Sequence, residues 1–308
     1  MHSTPSVALP ADADSGVPAR PPMPLLIGSQ TFTWGERTYL MGIVNVTPDS
    51  FSGDGLMSGG ASAVASVERA IAQARAMVEE GADVIDVGGQ STRPGHGEIP
   101  LEDEVQRVEP VVREIRAALP NVTISIDTTR AAVAEKAVAA GADLLNDIWG
   151  VAADEALLRF AGESGLPIVL MHNRQQPRYA NVVAEVVADL VRAVDSAVAA
   201  GVAWESTIVD PGIGFGKTAE QNLAVLHDLA ALSVLGRPIL LGTSRKSTIG
   251  KVLDLPADQR VEGTIATTAL AIAAGADIIR VHDMRPNARA ARMTDAVVRG
   301  GWKEAPLP

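Results

Sequence analysis

Along the chain, short apolar runs that close on polar residues alternate with longer amphipathic stretches. The runs are Met41–Val46, Ala82–Val87, Thr123–Asp127, Ala142–Ile148, Pro167–His172, Thr207–Asp210, Pro238–Thr243 and Ala276–His282. Near-continuous apolar runs suit parallel strands covered on both faces. The segments near 60–80, 102–118, 130–140, 154–164, 181–200, 219–232, 259–274 and 286–299 are rich in Ala, Val, Glu and Arg, which predicts outer helices that bury one stripe. Gly81, Gly141 and Gly275 each open a Gly-Ala-Asp turn, where a glycine would end the preceding helix. Eight strand–helix units in strict alternation predict an α/β fold, a (β/α)₈ TIM barrel. An open doubly wound sheet competes, but it uses fewer units and a glycine-rich first turn. Here the first run leads into Asn45-Val46-Thr47-Pro48-Asp49.

The ends follow a different pattern. Residues 1–24 carry Pro5, Pro10, Pro18, Pro21, Pro22 and Pro24 among small polar residues, which reads as a disordered tail. A β-hairpin is expected next, with Gln30–Trp34 and Arg37–Met41 flanking a turn at Gly35-Glu36 and covering the barrel bottom. One barrel domain over 25–300 and a C-terminal tail over 301–308 complete the expected organisation.

Composition narrows the chemistry. The 308 residues are 47% hydrophobic and 20% charged, enough apolar content for a large core. Cysteine is absent, which excludes disulfides, thiolate nucleophiles and zinc–cysteine sites. A net charge of −11 disfavours nucleic acid and acidic membrane surfaces as partners. A local basic cluster could still hold a small anion, because salt screens the global field. No apolar run approaches the roughly 20 residues of a membrane span. The N-terminus lacks a basic region followed by an apolar stretch, so a cytoplasmic location is expected.

In such a barrel the strand C-termini share one mouth, so their polar residues are the candidate site. Asn45, the Ser91-Thr92-Arg93 segment, Asp127, Asn146, Asp147, His172, Asp210, the Ser244-Arg245-Lys246-Ser247 segment, Arg280 and His282 all fall there. Singly, an Asp after a strand caps the next helix and a His neighbours the core. Together they divide into two sets. Asp127, Asn146 and Asp210 offer acceptors that could read the N–H and NH₂ edge of an aminopyrimidinone ring. Arg93, Lys246, Arg280 and His282, with Asn45 and Thr92, could hold a diphosphate with Mg²⁺. Asp210-Pro211-Gly212-Ile213-Gly214-Phe215-Gly216-Lys217-Thr218 only superficially resembles a P-loop, since Pro211 stands where the first glycine is needed. Its glycines fit a sharp turn against a flat ligand, with Phe215 as a wall.

Taken in order, several segments resemble the dihydropteroate synthases of the pterin-binding enzyme family. They are Met41 to Ser52, Gly88-Gly89-Gln90-Ser91-Thr92-Arg93-Pro94-Gly95, Ser125-Ile126-Asp127-Thr128, Asn146-Asp147-Ile148, Leu170-Met171-His172, Asp210-Pro211-Gly212, Ser244-Arg245-Lys246-Ser247 and Arg280-Val281-His282-Asp283. The resemblance spans nearly all of the chain after residue 38. It implies condensation of 6-hydroxymethyl-7,8-dihydropterin pyrophosphate with 4-aminobenzoate, giving 7,8-dihydropteroate and pyrophosphate. It further implies that Asp127, Asn146, Asp210, Lys246 and Arg280 bind the pterin, and that Asp127, Lys246 and Arg280 are catalytic. Asn45, Thr92, Arg93, Arg280 and His282 would bind the diphosphate, with Asn45 near Mg²⁺. Pro94, Phe215, Lys246 and Ser247 would form the aminobenzoate site, where sulfonamides compete in the family. A homodimer through outer helices is also implied. Loops 47–59 and 90–97 would close over the site. Two departures stand out: Gln90 where the family commonly has Glu, and Asn173-Arg174 where it often has Met and Gly. A corrinoid-type pterin methyltransferase would share the acidic readers without needing Arg93, Arg280 and His282 together. A non-catalytic pterin-binding paralogue would bind without turnover.

Overall fold

The computed structural model describes residues 22–47, 63–90, 99–150, 154–300 and 302. The expectations for the tail up to residue 21, for loop residues 48–59 and 91–97, and for residues 301 and 303–308 lie outside the described residues. A two-stranded antiparallel hairpin, β1 (Leu25–Ile27) and β2 (Gln30–Phe32), precedes an eight-stranded sheet. The sheet comprises β3 (Tyr39–Asn45), β4 (Val84–Gly88), β5 (Thr123–Asp127), β6 (Leu144–Asp147), β7 (Ile168–Met171), β8 (Thr207–Asp210), β9 (Leu240–Leu241) and β10 (Ile278–Val281). Its order is β8-β7-β6-β5-β4-β3-β10-β9, and every pairing is parallel. A parallel bridge between Val209 and Ile239, with Val209 N donating to Pro238 O at 2.9 Å, brings β9 back to β8 and nearly closes the barrel.

The strands are covered by α1 (Ala63–Glu79), α2 (Leu101–Ala118), α3 (Ala131–Ala140), α4 (Glu155–Ser164), α5 (Val182–Ala199), α6 (Ala219–His227), α7 (Ser247–Leu253), α8 (Val261–Ala273) and α9 (Met284–Val298). Helix α2 illustrates how the sequence dictates this. Val108, Val111, Val112 and Ile115 recur at helical spacing and are all buried, and Glu102, Asp103 and Glu104 stand in its first turn, facing the helix dipole favourably. Each such side chain contributes about 1.5–3 kcal/mol on burial. Thr218 and Gln221 form a reciprocal capping box at the start of α6. The three Gly-Ala-Asp glycines take positive φ, as a helix-ending residue requires.

Inside the barrel, Met41, Val84, Leu144, Val169, Ile208, Leu240 and Ile278 form an apolar layer with Ile27, Phe32, Trp34 and Tyr39. The hairpin therefore plugs the bottom, with the Phe32 and Tyr39 ring centroids 4.6 Å apart. Its position corrects the sequence expectation: the turn is at Gly28-Ser29, with Leu26 paired to Thr31. Residues 39–41 pair instead with β10, because Tyr39 and Met41 bury into the barrel interior. The stretch 219–232 is also not one helix. The α-helix stops at His227 and a 3-10 turn covers Leu229–Leu235, where Leu229 and Leu232 bury three residues apart, the period of that tighter helix. Helix α7 is absent from the sequence expectation, since its seven residues follow directly on polar Ser244-Arg245-Lys246 and include Gly250, which reads as loop.

Candidate active site

Alternation along each strand sends every second side chain into the barrel. One step above the apolar layer this places Asp86, Asp127, Asn146, Asp210 and Arg280 at the C-terminal mouth. The Arg280 guanidinium spans two of the acids. Its Nε donates to Asp86 Oδ2 at 2.6 Å and its Nη2 to Asp127 Oδ2 at 2.7 Å. Asn146 Nδ2 also donates to Asp86 Oδ2, at 3.1 Å. Asp86 Oδ1 and Asp127 Oδ1 are buried and have no partner among the described residues. Two acceptors are thus left open on acids already anchored by the same cation.

Beside them, Asp210 accepts from Gly212 N at 2.7 Å. Gly212 has φ 66°, and a Cβ there would lie 1.8 Å from the carbonyl oxygen of His172. Only glycine lets the chain turn back this closely after β8. The turn carries Phe215, and Lys246 Nζ lies 4.4 Å from its ring centroid. Lys246 Nζ also donates to Ile213 O. Lys246 and Arg280 flank Gly242: a Cβ there would lie 3.9 Å from Lys246 Nζ and 3.8 Å from Arg280 Cβ. His282 Nδ1 lies 2.9 Å from Ser244 Oγ, tying β10 to the loop that bears Lys246. Arg245, at φ 57°, grips Asp283 through Nε and Nη2 at 2.9 and 2.6 Å and braces the same loop.

Burial sets the electrostatics. It pushes the Asp127 carboxyl up to about 7, against the opposing pull of Arg280. Asp210 is also raised by burial, with Lys246 and the Gly212 N–H pulling the other way. Burial lowers Lys246 to about 8, although Asp210 draws it upward. For Arg280 burial acts to lower the value, but Asp86 and Asp127 outweigh it and hold the guanidinium charged.

The structure therefore brings Asp127, Asn146, Asp210, Phe215, Lys246, Arg280 and His282 to one end. Asn45 closes β3 at this rim; its Oδ1 would be 3.8 Å, and Asp127 Cβ 3.5 Å, from a Cβ on Gly88. Ser247 stands exposed at the first position of α7, next to Lys246. Thr92, Arg93 and Pro94 lie outside the described residues. Two strand-end residues turn away from the mouth. Asp147 accepts from Trp149 N at 2.8 Å, and burial raises it to about 7. His172 faces α5 and bonds Asp189. Of the departures, Asn173 Nδ2 donates to Ile148 O at 3.3 Å, and Arg174 pairs with Glu185 and Asp189.

The sequence reading missed Asp86, although a signal existed: it is the lone carboxylate within β4, two residues from Val84, which faces the inner layer. Its consequence is that acids and bases do not form separate subsets, since Arg280 sits among the carboxylates.

Comparisons with known proteins show the family. The family model described as pterin binding enzyme matches residues 41–282. The chain is 48% identical over 274 residues to a dihydropteroate synthase of Clostridium beijerinckii, covering 89% of this chain and 99% of that one. It is similar to the crystal structure of dihydropteroate synthase from Clostridium difficile in the presence of pteroic acid. That match has 46% identity and a TM-score of 0.82, over 87% of this chain and 99% of that one. The Xanthomonas albilineans dihydropteroate synthase with 4-aminobenzoic acid gives 39% identity and a TM-score of 0.82, over 90% and 98% of the two chains. The chain belongs to the pterin-binding enzyme family and, within it, to the dihydropteroate synthases.

Proposed function

We propose that this mouth is where 6-hydroxymethyl-7,8-dihydropterin pyrophosphate and 4-aminobenzoate meet to give 7,8-dihydropteroate and pyrophosphate. The observation that carries the reading is the pair of open carboxylate oxygens, Asp86 Oδ1 and Asp127 Oδ1, beside Asn146 and Asp210. An aminopyrimidinone edge offers N–H donors that such acceptors match. In this reading Lys246 and Arg280 bind the pterin ring, and Arg280, His282, Asn45, Thr92 and Arg93 bind the diphosphate. Phe215, Pro94, Lys246 and Ser247 shape the aminobenzoate subsite.

In this reading the pyrophosphate leaves first and the arylamine nitrogen attacks the resulting exocyclic methylene cation. Asp127 stabilises the cationic pterin, and Arg280 with His282 stabilises the departing charge. Both effects are electrostatic preorganisation and need no covalent intermediate. Mg²⁺ fits as a cofactor: the Asn45 amide oxygen at the rim is a hard donor that suits an ion held mainly by substrate phosphates. When bound it would neutralise the leaving group. Purified protein should release pyrophosphate only with both substrates and Mg²⁺ present. Pterin binding without release would favour a non-catalytic paralogue.

We further propose a homodimer. Leu223 on α6, Val252 and Leu253 on α7 and Leu270 on α8 are exposed on three mutually contacting helices. An apolar face of that kind suits a second copy. Light scattering at the monomer mass would refute it. No helix among the described residues is long and apolar enough to cross a membrane.

A further inference from the structure

Behind the loop that carries Phe215 lies a buried polar chain that the proposed reaction does not use. The Asp189 and His172 side chains are 2% and 0% exposed. Asp189 Oδ2 lies 3.0 Å from His172 Nε2, and His172 Nδ1 lies 2.8 Å from Lys217 Nζ. Lys217 Nζ also donates to Gly212 O at 3.1 Å and Phe215 O at 3.2 Å. Burial lowers Lys217 to about 7, so the lysine does not by itself fix the histidine. Asp189 does: a carboxylate only accepts, so the ring proton sits on Nε2 and is donated to Asp189, and Nδ1 of the neutral ring accepts from the lysine. Burial lowers the His172 value to about 4, with Lys217 adding to the effect, so the imidazole is neutral.

Asp189 is held in turn by Arg174 at 2.7 Å and by Arg192. Arg174 lies 4.5 Å over the Tyr179 ring, and the Tyr179 hydroxyl donates to Gly216 O at 2.8 Å. Carbonyls of Gly212, Phe215 and Gly216 are therefore all gripped from this side, while Lys246 reaches the same loop from the mouth side.

We propose that Lys217 and His172 are positioning residues for the aminobenzoate subsite. Their hydrogen bond fixes the Gly212–Phe215 backbone so that the Phe215 ring stands against Lys246. Neither side chain touches substrate. The inference rests on the reading of Phe215 as the aminobenzoate wall, and Phe215→Ala tests that reading separately.

Steady-state kinetics of Lys217→Met, His172→Leu and the double variant decide the matter. Each single change should raise KM for 4-aminobenzoate about tenfold, the scale of one lost charge-assisted hydrogen bond. KM for the pterin substrate and kcat should move by less than about threefold. The double variant should be no worse than the worse single, because both act through one bond. His172→Asn, which keeps an acceptor at the Nδ1 position, should restore much of the loss relative to His172→Leu. A KM change that multiplies in the double variant, or that falls equally on both substrates, overturns the proposal. If Phe215→Ala raises KM for 4-aminobenzoate while Lys217→Met does not, the positioning role alone fails. If Phe215→Ala changes nothing, the wall assignment itself fails. Should the variants not fold, ¹⁵N spectra of the parent enzyme still discriminate. The proton must be on His172 Nε2, and a protonated Nδ1 overturns the proposal.

Discussion

Replacing Arg280 with methionine keeps most of the side-chain stem and removes only the guanidinium. In the folded protein that group faces two carboxylates, Asp86 and Asp127, whose side chains are 0% and 7% exposed. Stripping the cation leaves both buried with no counter-charge, a change that costs about 3–5 kcal/mol when one partner of a buried pair is lost. The protein can limit that cost by taking up a proton. Burial already pushes Asp127 up to about 7 with Arg280 present, and losing Arg280 raises it further. A carboxyl raised in the folded state contributes stability that is fully present below the ordinary carboxylate value of about 4 and is lost as pH rises through the folded value. In the variant that folded value lies above about 7. The stability gap between parent and variant must therefore widen from pH 6 to pH 8. Urea unfolding at the two pH values measures it, and pyrophosphate release should fall about 100-fold or more if Arg280 stabilises the leaving charge. An equal gap at both pH values would refute the shared-cation account, and turnover within a few-fold of the parent would refute the catalytic role.

Asp210→Asn replaces a two-acceptor carboxylate by an amide and should weaken pterin binding about ten- to a hundredfold without unfolding the protein; calorimetry showing unchanged affinity would contradict the assignment. Gly212→Ala must push a Cβ to 1.8 Å from His172 O at a φ of 66°, so the loop has to move; a crystal structure or activity identical to the parent would show the turn is not constrained as described. Lys246, lowered by burial to about 8, should impose an alkaline limb on kcat/KM as its ammonium is lost, and Lys246→Met should abolish that limb along with most of the activity. The same depression acts oppositely on folding. Between about 8 and the ordinary lysine value near 10.5 the folded state binds fewer protons than the unfolded one, so this group's contribution to stability rises with pH while activity falls.

How much of this could be read from the chain depends on range. The eight strands and the covering helices other than α7 were legible because apolar runs and helical stripes are local patterns. Asp127, Asn146, Asp210 and Arg280 were legible because each lies at or next to the end of a recognisable strand. The hairpin was placed too late because Tyr39 and Met41 look the same whether they bury in a hairpin or against β10; only the closed barrel decides it. Asp86 was passed over because a carboxylate inside an apolar run reads as an exception until the partner 194 residues away is known. Lys217 was read with the glycines around it, while its bond to His172 spans 45 residues. In these three misses the deciding contact lies far along the chain, where periodicity carries no information.

The charge balance of the mouth bears directly on the proposed chemistry. Asp86 and Asp127 share one cation, Arg280, while Lys246 and Lys217 both act on Asp210. With Asp86, Asp127 and Arg280 all ionised, one negative charge remains around that guanidinium in a buried site, which is costly at rest. Burial is the main cause of the elevated value of Asp127, and the neighbouring Asp86 charge adds to it. A positive charge developing on a pterin held against Asp127 would cancel the excess and draw the carboxyl back toward its ionised form. The site is then better matched to the cationic intermediate than to the neutral ring, which is the condition for electrostatic binding to accelerate a step and not merely tighten the ground state. Arg280 has a place in both halves of that argument. It keeps two acids close together before substrate arrives, and in the proposed reaction it also meets the departing charge. A lysine in its place could offer only a point charge, without a fork that reaches Asp86 and Asp127 at once.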